Sequence, residues 1–196
     1  YPQRLLTYYQ HRFQAPTILD GDRALLQSAP SDFIGINYYQ STFLAHNPAD
    51  GVGFSAINTS GEKGSQKESG IPGLFKRVQN PQVAYTPWDW SIYPEGLYEG
   101  MKRIKERYGP IPIMITENGL GDKDPISPTG EILDTPRINY LRDHLRACQR
   151  AIDEDIPLMG YFVWSFIDLL SWLNGYQKQY GFVYVDHAHN LQRQKK

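Results

Sequence analysis

The chain has 196 residues, 40% hydrophobic and 21% charged, which is enough for a sizeable core and excludes disorder as its global state. Its 20 Lys and Arg against 21 Asp and Glu leave a net charge of −1, which argues against general binding to nucleic acid or to a membrane surface. Aromatic residues reach 13%, with 14 Tyr and 4 Trp, a composition suited first to packed cores and second to surfaces that stack on carbohydrate.

In chain order, residues 1–13 and 20–30 read as short helices, the second stopped before Pro30. Residues 32–43, "DFIGINYYQSTF", read as a strand whose apolar beginning turns polar at Asn37. From about 44 to 80 the sequence is rich in Gly, Ser, Asn, Lys and Gln without sustained periodicity. A loop of that length in a compact domain is either functional or mobile, and it reads as an excursion rather than a linker. The whole of 1–196 is therefore expected to form part of one domain. The sequon Asn58-Thr59-Ser60 within the excursion is expected to stay unmodified in a protein that is not secreted.

From Tyr93 the pattern sharpens. Pro94 stands where a first helical turn tolerates it, and Leu97, Met101, Ile104 and Tyr108 share a face before Gly109 and Pro110 end the helix. The apolar strand "IPIMIT" follows at once. Thr135 and Pro136 start a second helix, expected to bury Ile138, Leu141, Leu145, Cys148 and Ile152, and "PLMGYFVWSF" is the last strand. Apolar strands alternating with amphipathic helices predict an α/β fold, a parallel sheet covered by helices. In each strand the functional groups gather at the C-terminal end: Asn37 and Tyr39, then Glu117 and Asn118, then Trp164 and Asp168. That edge is where such folds do chemistry.

Several features point away from other chemistries. The single cysteine, Cys148, cannot form an internal disulfide, falls on a helix face as packing, and favours a reducing, cytoplasmic compartment. Neither a long apolar run nor a signal peptide is present, so no membrane partner is expected. The chain begins Tyr1-Pro2 rather than Met, which suggests that it does not begin at a start codon. His187 and His189 could share a strand face as metal ligands, but no third ligand is evident and no metal is expected. Trp88 and Trp90 read equally as core or as the wall of a leaving-group site.

Four stretches together, "DFIGINYYQS", "WSIYPEGLY", "IMITENGLGD" and "GYFVWSFIDLLSW", resemble glycoside hydrolase family 1, the retaining β-glycosidases, in the family's own order. The resemblance covers the chain outside residues 44–80. It implies that these are strands six to eight of a (β/α)8 TIM barrel, incomplete as given, with Glu117 closing strand seven as the catalytic nucleophile. Tyr39 would orient that nucleophile, Asn37 would lie on the sugar-binding side, and Trp164 would be the platform under the sugar ring. Such chemistry suits a carboxylate fixed in place, because it must attack an anomeric carbon and then leave again.

The family's acid/base residue lies in an Asn-Glu-Pro pattern that does not occur here. The resemblance therefore implies a C-terminal part whose N-terminal remainder supplies the second carboxyl. The 196-residue chain alone is expected to be inactive, with one side of its sheet exposed. Family members acting on neutral sugars carry a Glu seven residues beyond the platform Trp, where this chain has Ser171. Ser171, Lys178 and Tyr180 match the phosphate-binding set of the 6-phospho-β-glycosidases. A dianionic phosphate calls for a cation and hydroxyl donors rather than a Glu. Trp172 resembles the galactoside-type enzymes, in which the indole contacts the sugar 4-hydroxyl. The expected substrate is a 6-phospho-β-galactoside, with 6-phospho-β-glucosides left open, and no cofactor is implied because two carboxyl groups suffice. Two rival readings are a neutral-sugar β-glucosidase and a non-catalytic sugar-phosphate-binding fragment.

Overall fold

The computed structural model describes residues 3–13, 17–48, 56–66 and 70–196, which form two compact units, residues 1–32 and 33–196. The first unit holds two of the expected helices, α1 (Gln3–Arg12) and α2 (Asp22–Ser28). Tyr1 and Pro2, included in the expected first helix, lie outside the described residues.

The second unit is built on a three-stranded parallel sheet in the order β1-β7-β8. Its strands are β1 (Ile34–Asn37), β7 (Ile113–Asn118) and β8 (Leu158–Val163). The intervening β2 (Phe43–Ala45), β3 (Gly70–Ile71), β4 (Phe75–Val78), β5 (Ala84–Tyr85) and β6 (Ser91–Ile92) belong to two small antiparallel sheets. Helix α3 (Pro94–Tyr108) precedes β7, and α4 (Thr135–Asp153) joins β7 to β8. A hairpin of β9 (Val183–Asp186) and β10 (Gln192–Lys195) ends the chain.

Proline lies in the first turn of both long helices, where its missing N–H has no intrahelical partner to lose. Gly109, at φ +78°, ends α3 with its N–H on the Lys105 carbonyl. The core lies between the sheet and these helices and contains Leu97, Tyr98, Met101, Ile113, Ile115, Ala147, Cys148, Ala151 and Ile156. Ile113 and Ile115, on the central strand, are completely buried. Each contributes about 1.5–3 kcal/mol by leaving water. On the other side of the sheet Met159 and Phe162 are exposed, as expected for three strands that do not close on themselves.

The sequence reading of α4 holds at Cys148, which is buried, and in part at Leu141, which is half-buried, but fails at three positions. Ile138, Leu145 and Ile152 are exposed, while Arg137, Tyr140, His144, Ala147, Cys148 and Ala151 are buried. The true inward face carries Arg137 and Tyr140, which bond the Gln179 and Tyr39 carbonyls far along the chain, so an apolar count misjudged its direction.

The long excursion contains more structure than its composition announced. β3 and β4 pair with each other, and β4 pairs with β2, within the stretch expected to be loop. Asn58 is only 4% exposed, and its amide nitrogen lies 2.9 Å from Glu62 O, Pro87 O and Asp89 Oδ2. The sequon therefore holds a buried structural amide rather than an accessible acceptor. His187 and His189 lie in the turn between β9 and β10 instead of on a strand face. His189 pairs with Asp186 at 2.7 Å, and the His187 ring packs on Tyr176. Among the described residues no group of three potential metal ligands is gathered, and no helix is long and apolar enough to cross a membrane.

Candidate active site

The β7–β8 ladder shifts register once near its start, between Ile113 and Met114, and both ladders of the sheet shift at the C-terminal edge. β1 pairs with β7 from Ile34 opposite Ile113 to Ile36 opposite Ile115, then slips so that Asn37 faces Glu117. The β7–β8 ladder slips over the same residues, between Ile115 and Asn118. Such irregularities turn side chains away from the alternating pleat, here at the edge where polar groups collect. Glycine follows Asn118 for a steric reason. A Cβ on Gly119 would sit 1.8 Å from the carbonyl oxygen of Trp164, so only a bare backbone lets these strand ends meet.

Glu117 Oε2 accepts a hydrogen bond of 2.5 Å from the Tyr39 hydroxyl. Burial, then the bond to Glu117 and its charge, hold the Tyr39 pKa far above the ordinary phenol value, so this hydroxyl remains a donor at any physiological pH. Asn37 Oδ1 accepts from Thr116 Oγ1 at 2.6 Å on the adjoining strand. Beside the carboxylate, Asn118 is fully buried and acts as a hub. Its Nδ2 donates to Tyr38 O at 2.6 Å and to the Tyr140 hydroxyl at 3.1 Å, and its Oδ1 accepts from Tyr161. Tyr140 in turn donates to Tyr39 O at 3.0 Å, which ties α4 to the backbone of the residue that grips Glu117.

These groups open on a cavity of about 330 Å³. Seven of the eight residues expected at the site line it: Asn37, Tyr39, Glu117, Trp164, Ser171, Trp172 and Tyr180. Trp90 lines it as well, edge-on to Tyr39, whereas Trp88 is completely buried. Of the two tryptophans left open by the sequence, one is thus core and the other cavity wall. Trp172 is 96% exposed. Ser171 approaches Asn174 Oδ1 at 3.3 Å and hydrogen-bonds Tyr180, whose hydroxyl burial pushes up to about 12.

Lys178, the eighth residue, does not line the cavity. It lies behind the wall, 1% exposed, with its ammonium 3.2 Å from the centroid of the Trp90 ring and 5.6 Å from that of Tyr180. The amine has no hydrogen-bond partner among the described residues, and desolvation lowers its pKa to about 7. Sequence reasoning placed Asn118 among the functional groups at the strand ends without giving it a role, and missed its partners Tyr140 and Tyr161. The only signal available was the unusual amide directly after Glu117.

A second cavity of about 410 Å³ is lined by Ser41, Phe43, Arg77, Tyr85 and Asp89, among others. Its carboxylate is already occupied. Asp89 accepts from the backbone N–H of Gly64 and Gln66 and from Asn58.

Comparison with known proteins gives the chain's relatives. The chain is 50% identical over 186 residues to an aryl-phospho-beta-D-glucosidase of Bacillus subtilis, covering 95% of this chain and 39% of that protein. It is 47% identical over 172 residues to a 6-phospho-beta-galactosidase of Clostridium acetobutylicum, covering 86% of this chain and 35% of that protein. The fold matches the family 1 β-glucosidase of Thermotoga maritima with a TM-score of 0.78 at 33% identity, over 100% of this chain and 38% of that one. The chain thus spans about two-fifths of the length of these relatives, and its sheet and helices are part of a TIM barrel. The sequence model described as "Glycosyl hydrolase family 1" matches residues 1–196, and the chain belongs to that family.

Proposed function

We propose that the complete protein hydrolyses 6-phospho-β-galactosides with retention of configuration, 6-phospho-β-glucosides being a second substrate class. This chain supplies barrel strands six to eight of one glycosidase domain, the nucleophile and the phosphate-binding loop. The observation that carries the reading is the Tyr39–Glu117 bond on the wall of a cavity that also contains Ser171 and Tyr180.

In the first step a Glu117 oxygen attacks the anomeric carbon while the bond to the leaving oxygen breaks. A carboxylic acid elsewhere in the protein protonates that oxygen, leaving a covalent glycosyl ester. The same group, now a carboxylate, deprotonates water, which attacks the anomeric carbon, breaks its bond to the Glu117 oxygen and releases the carboxylate. Tyr39 fixes one carboxylate oxygen so that the other is free to attack. Asn37 and Trp164 hold the sugar, the indole forming its platform, and Trp172 contacts its 4-hydroxyl. Ser171 and Tyr180 donate to the 6-phosphate and Lys178 supplies the positive charge.

Without the second carboxyl the chain by itself is inactive on this reading. A reducing compartment suits a protein with one buried thiol, which burial raises to about 11. The neutral-sugar reading draws support from the Thermotoga maritima structures, but the relatives of higher identity carry phosphoglycosidase names.

The deciding experiment uses a polypeptide that contains the second carboxyl. It should cleave 4-nitrophenyl 6-phospho-β-galactoside far faster than 4-nitrophenyl β-galactoside and release the β-anomer of the sugar phosphate first. Preference for the unphosphorylated substrate, or first release of the α-anomer, would overturn it.

A further inference from the structure

Gln179 stands between Lys178 and Tyr180, and the proposed reaction gives it no task. Its backbone and side chain are nevertheless bonded on every side. Its N–H donates to Asp122 O at 2.8 Å, and its carbonyl accepts from Asp122 N–H at 2.9 Å and from Arg137 Nη2 at 3.0 Å. Its side-chain oxygen accepts from Asp124 N–H at 2.9 Å, and its side-chain amide donates to Asp168 Oδ2 at 3.3 Å.

These partners belong to a buried charge cluster. The Arg137 side chain is 1% exposed and is held by Asp124 at 3.1 Å and by Asp134. The Lys196 ammonium, fully buried, bridges Asp124 and Asp168. Asp168 also accepts the Gly181 N–H at 2.8 Å. Charges paired so closely inside a protein hold their geometry stiffly, because separating any pair leaves an uncompensated buried ion.

In an extended segment, neighbouring side chains point to opposite sides. Lys178 and Tyr180 both lie against Gly121, whose added Cβ would be 2.6 Å from Lys178 Cε and 2.7 Å from Tyr180 Cζ. Gln179 turns the other way, into the cluster. The chain that leaves Glu117 is thereby zipped to the segment that carries the cation.

We propose that Gln179 is the positioning residue of the phosphate site, fixing Lys178 and Tyr180 by anchoring the backbone between them to the Arg137–Asp124–Asp168 cluster. Lys178 needs such an anchor because its own amine makes no hydrogen bond among the described residues. The inference rests on the phosphate-binding reading of Lys178 and Tyr180.

The test is a double-mutant cycle in the complete enzyme with Gln179→Met, Lys178→Ala and the pair. It reads the Kd of galactose 6-phosphate by calorimetry and kcat/KM on the two nitrophenyl substrates. Gln179→Met should weaken sugar-phosphate binding about tenfold, through KM rather than kcat, and should act more strongly on the phosphorylated substrate than on the plain one. In the Lys178→Ala background the same change should cost less than about twofold, because the group being positioned is gone. If the methionine variant loses cooperative unfolding, Gln179→Glu, of the same shape, is read in its place. Equal losses on both substrates, or equal losses in both backgrounds, would reduce Gln179 to a folding role. If Lys178→Ala is selective for phosphate and Gln179→Met is not, the positioning inference alone falls. If Lys178→Ala is not selective, the phosphate reading itself falls.

Discussion

At the end of β7, Asn118 is fully buried and its amide is bonded on both sides, to Tyr38, Tyr140 and Tyr161. In the segment after β8, Lys178 is as deeply buried, yet among the described residues its amine has no hydrogen-bond partner and lies against the rings of Trp90, Trp88 and Tyr180. The first is a satisfied polar group and holds its neighbours rigid. The second is an amine whose charged form is disfavoured by burial and only partly compensated by the ring quadrupoles. The contrast fits a division of labour. A nucleophile must be held still, whereas an anion-binding group gains most when its charge is poorly solvated before the ligand arrives.

The sharpest attack on this comparison is at the β7 end. In the complete enzyme Glu117→Gln should lower hydrolysis at least about a thousandfold, because an amide cannot form the glycosyl ester. Glu117→Gly should be partly rescued by azide and yield a glycosyl azide of inverted configuration, the small anion taking the place of the missing carboxylate. Turnover like that of the wild type in Glu117→Gln would remove the nucleophile from this residue.

A second comparison sets the two buried polar groups against each other. Asn118→Leu strands the Tyr38 carbonyl and the Tyr161 hydroxyl, leaves Tyr140 only its bond to the Tyr39 carbonyl, and should cost about 2–4 kcal/mol of stability. Lys178→Met replaces a buried amine that has no hydrogen-bond partner among the described residues with a chain of similar shape, and should stabilise the ligand-free enzyme by about 1–4 kcal/mol while weakening sugar-phosphate binding about 10- to 150-fold. The pH dependence follows from the same residue. Burial lowers the folded Lys178 pKa from 10.5 to about 7, so between those values the unfolded chain holds the extra proton. Stability due to this group therefore rises with pH across that window, and the rise should be missing in Lys178→Met. Chemical denaturation of both proteins at pH 7 and pH 9 measures it. Destabilisation by Lys178→Met at both pH values would mean that Lys178 is a satisfied structural group like Asn118.

The sequence exposed the two regions unequally. The parallel sheet, α3, α4 and the residues at the strand ends could be read from apolar runs broken by polar groups at their C-terminal edges, because local periodicity reports burial. What it could not report was partnership. Ile138, Leu145 and Ile152 satisfied a helical period and are exposed, while Arg137 and Tyr140 lie inside, bonded to groups far along the chain. The same limit hid Asn118 as a hub and set Lys178 beside Ser171 and Tyr180 rather than behind them. The short strands β3 and β4 were missed because two-residue and four-residue pairings in a polar excursion carry no period to detect.

The smallest effect is expected where the cavity meets solvent, at Trp172. The residue lines the cavity and is 96% exposed, so its indole has little packing to lose. Its substitution should change stability by no more than about 0.5 kcal/mol. Trp172→Phe keeps a ring and removes the single N–H donor. If that donor reads the 4-hydroxyl, the variant should lose about 0.5–1.5 kcal/mol on the galacto-configured phosphoglycoside, a two- to twelvefold fall in kcat/KM. The gluco epimer presents its 4-hydroxyl in the other direction and should lose less, so the galacto-to-gluco ratio moves while Tm does not. Selectivity for phosphate, which the proposed reading assigns to Ser171, Lys178 and Tyr180, should stay as it is, which separates this readout from damage to the segment after β8. A ratio unchanged within twofold would mean that Trp172 is solvated surface at the rim, and that the epimeric preference is set deeper in the cavity.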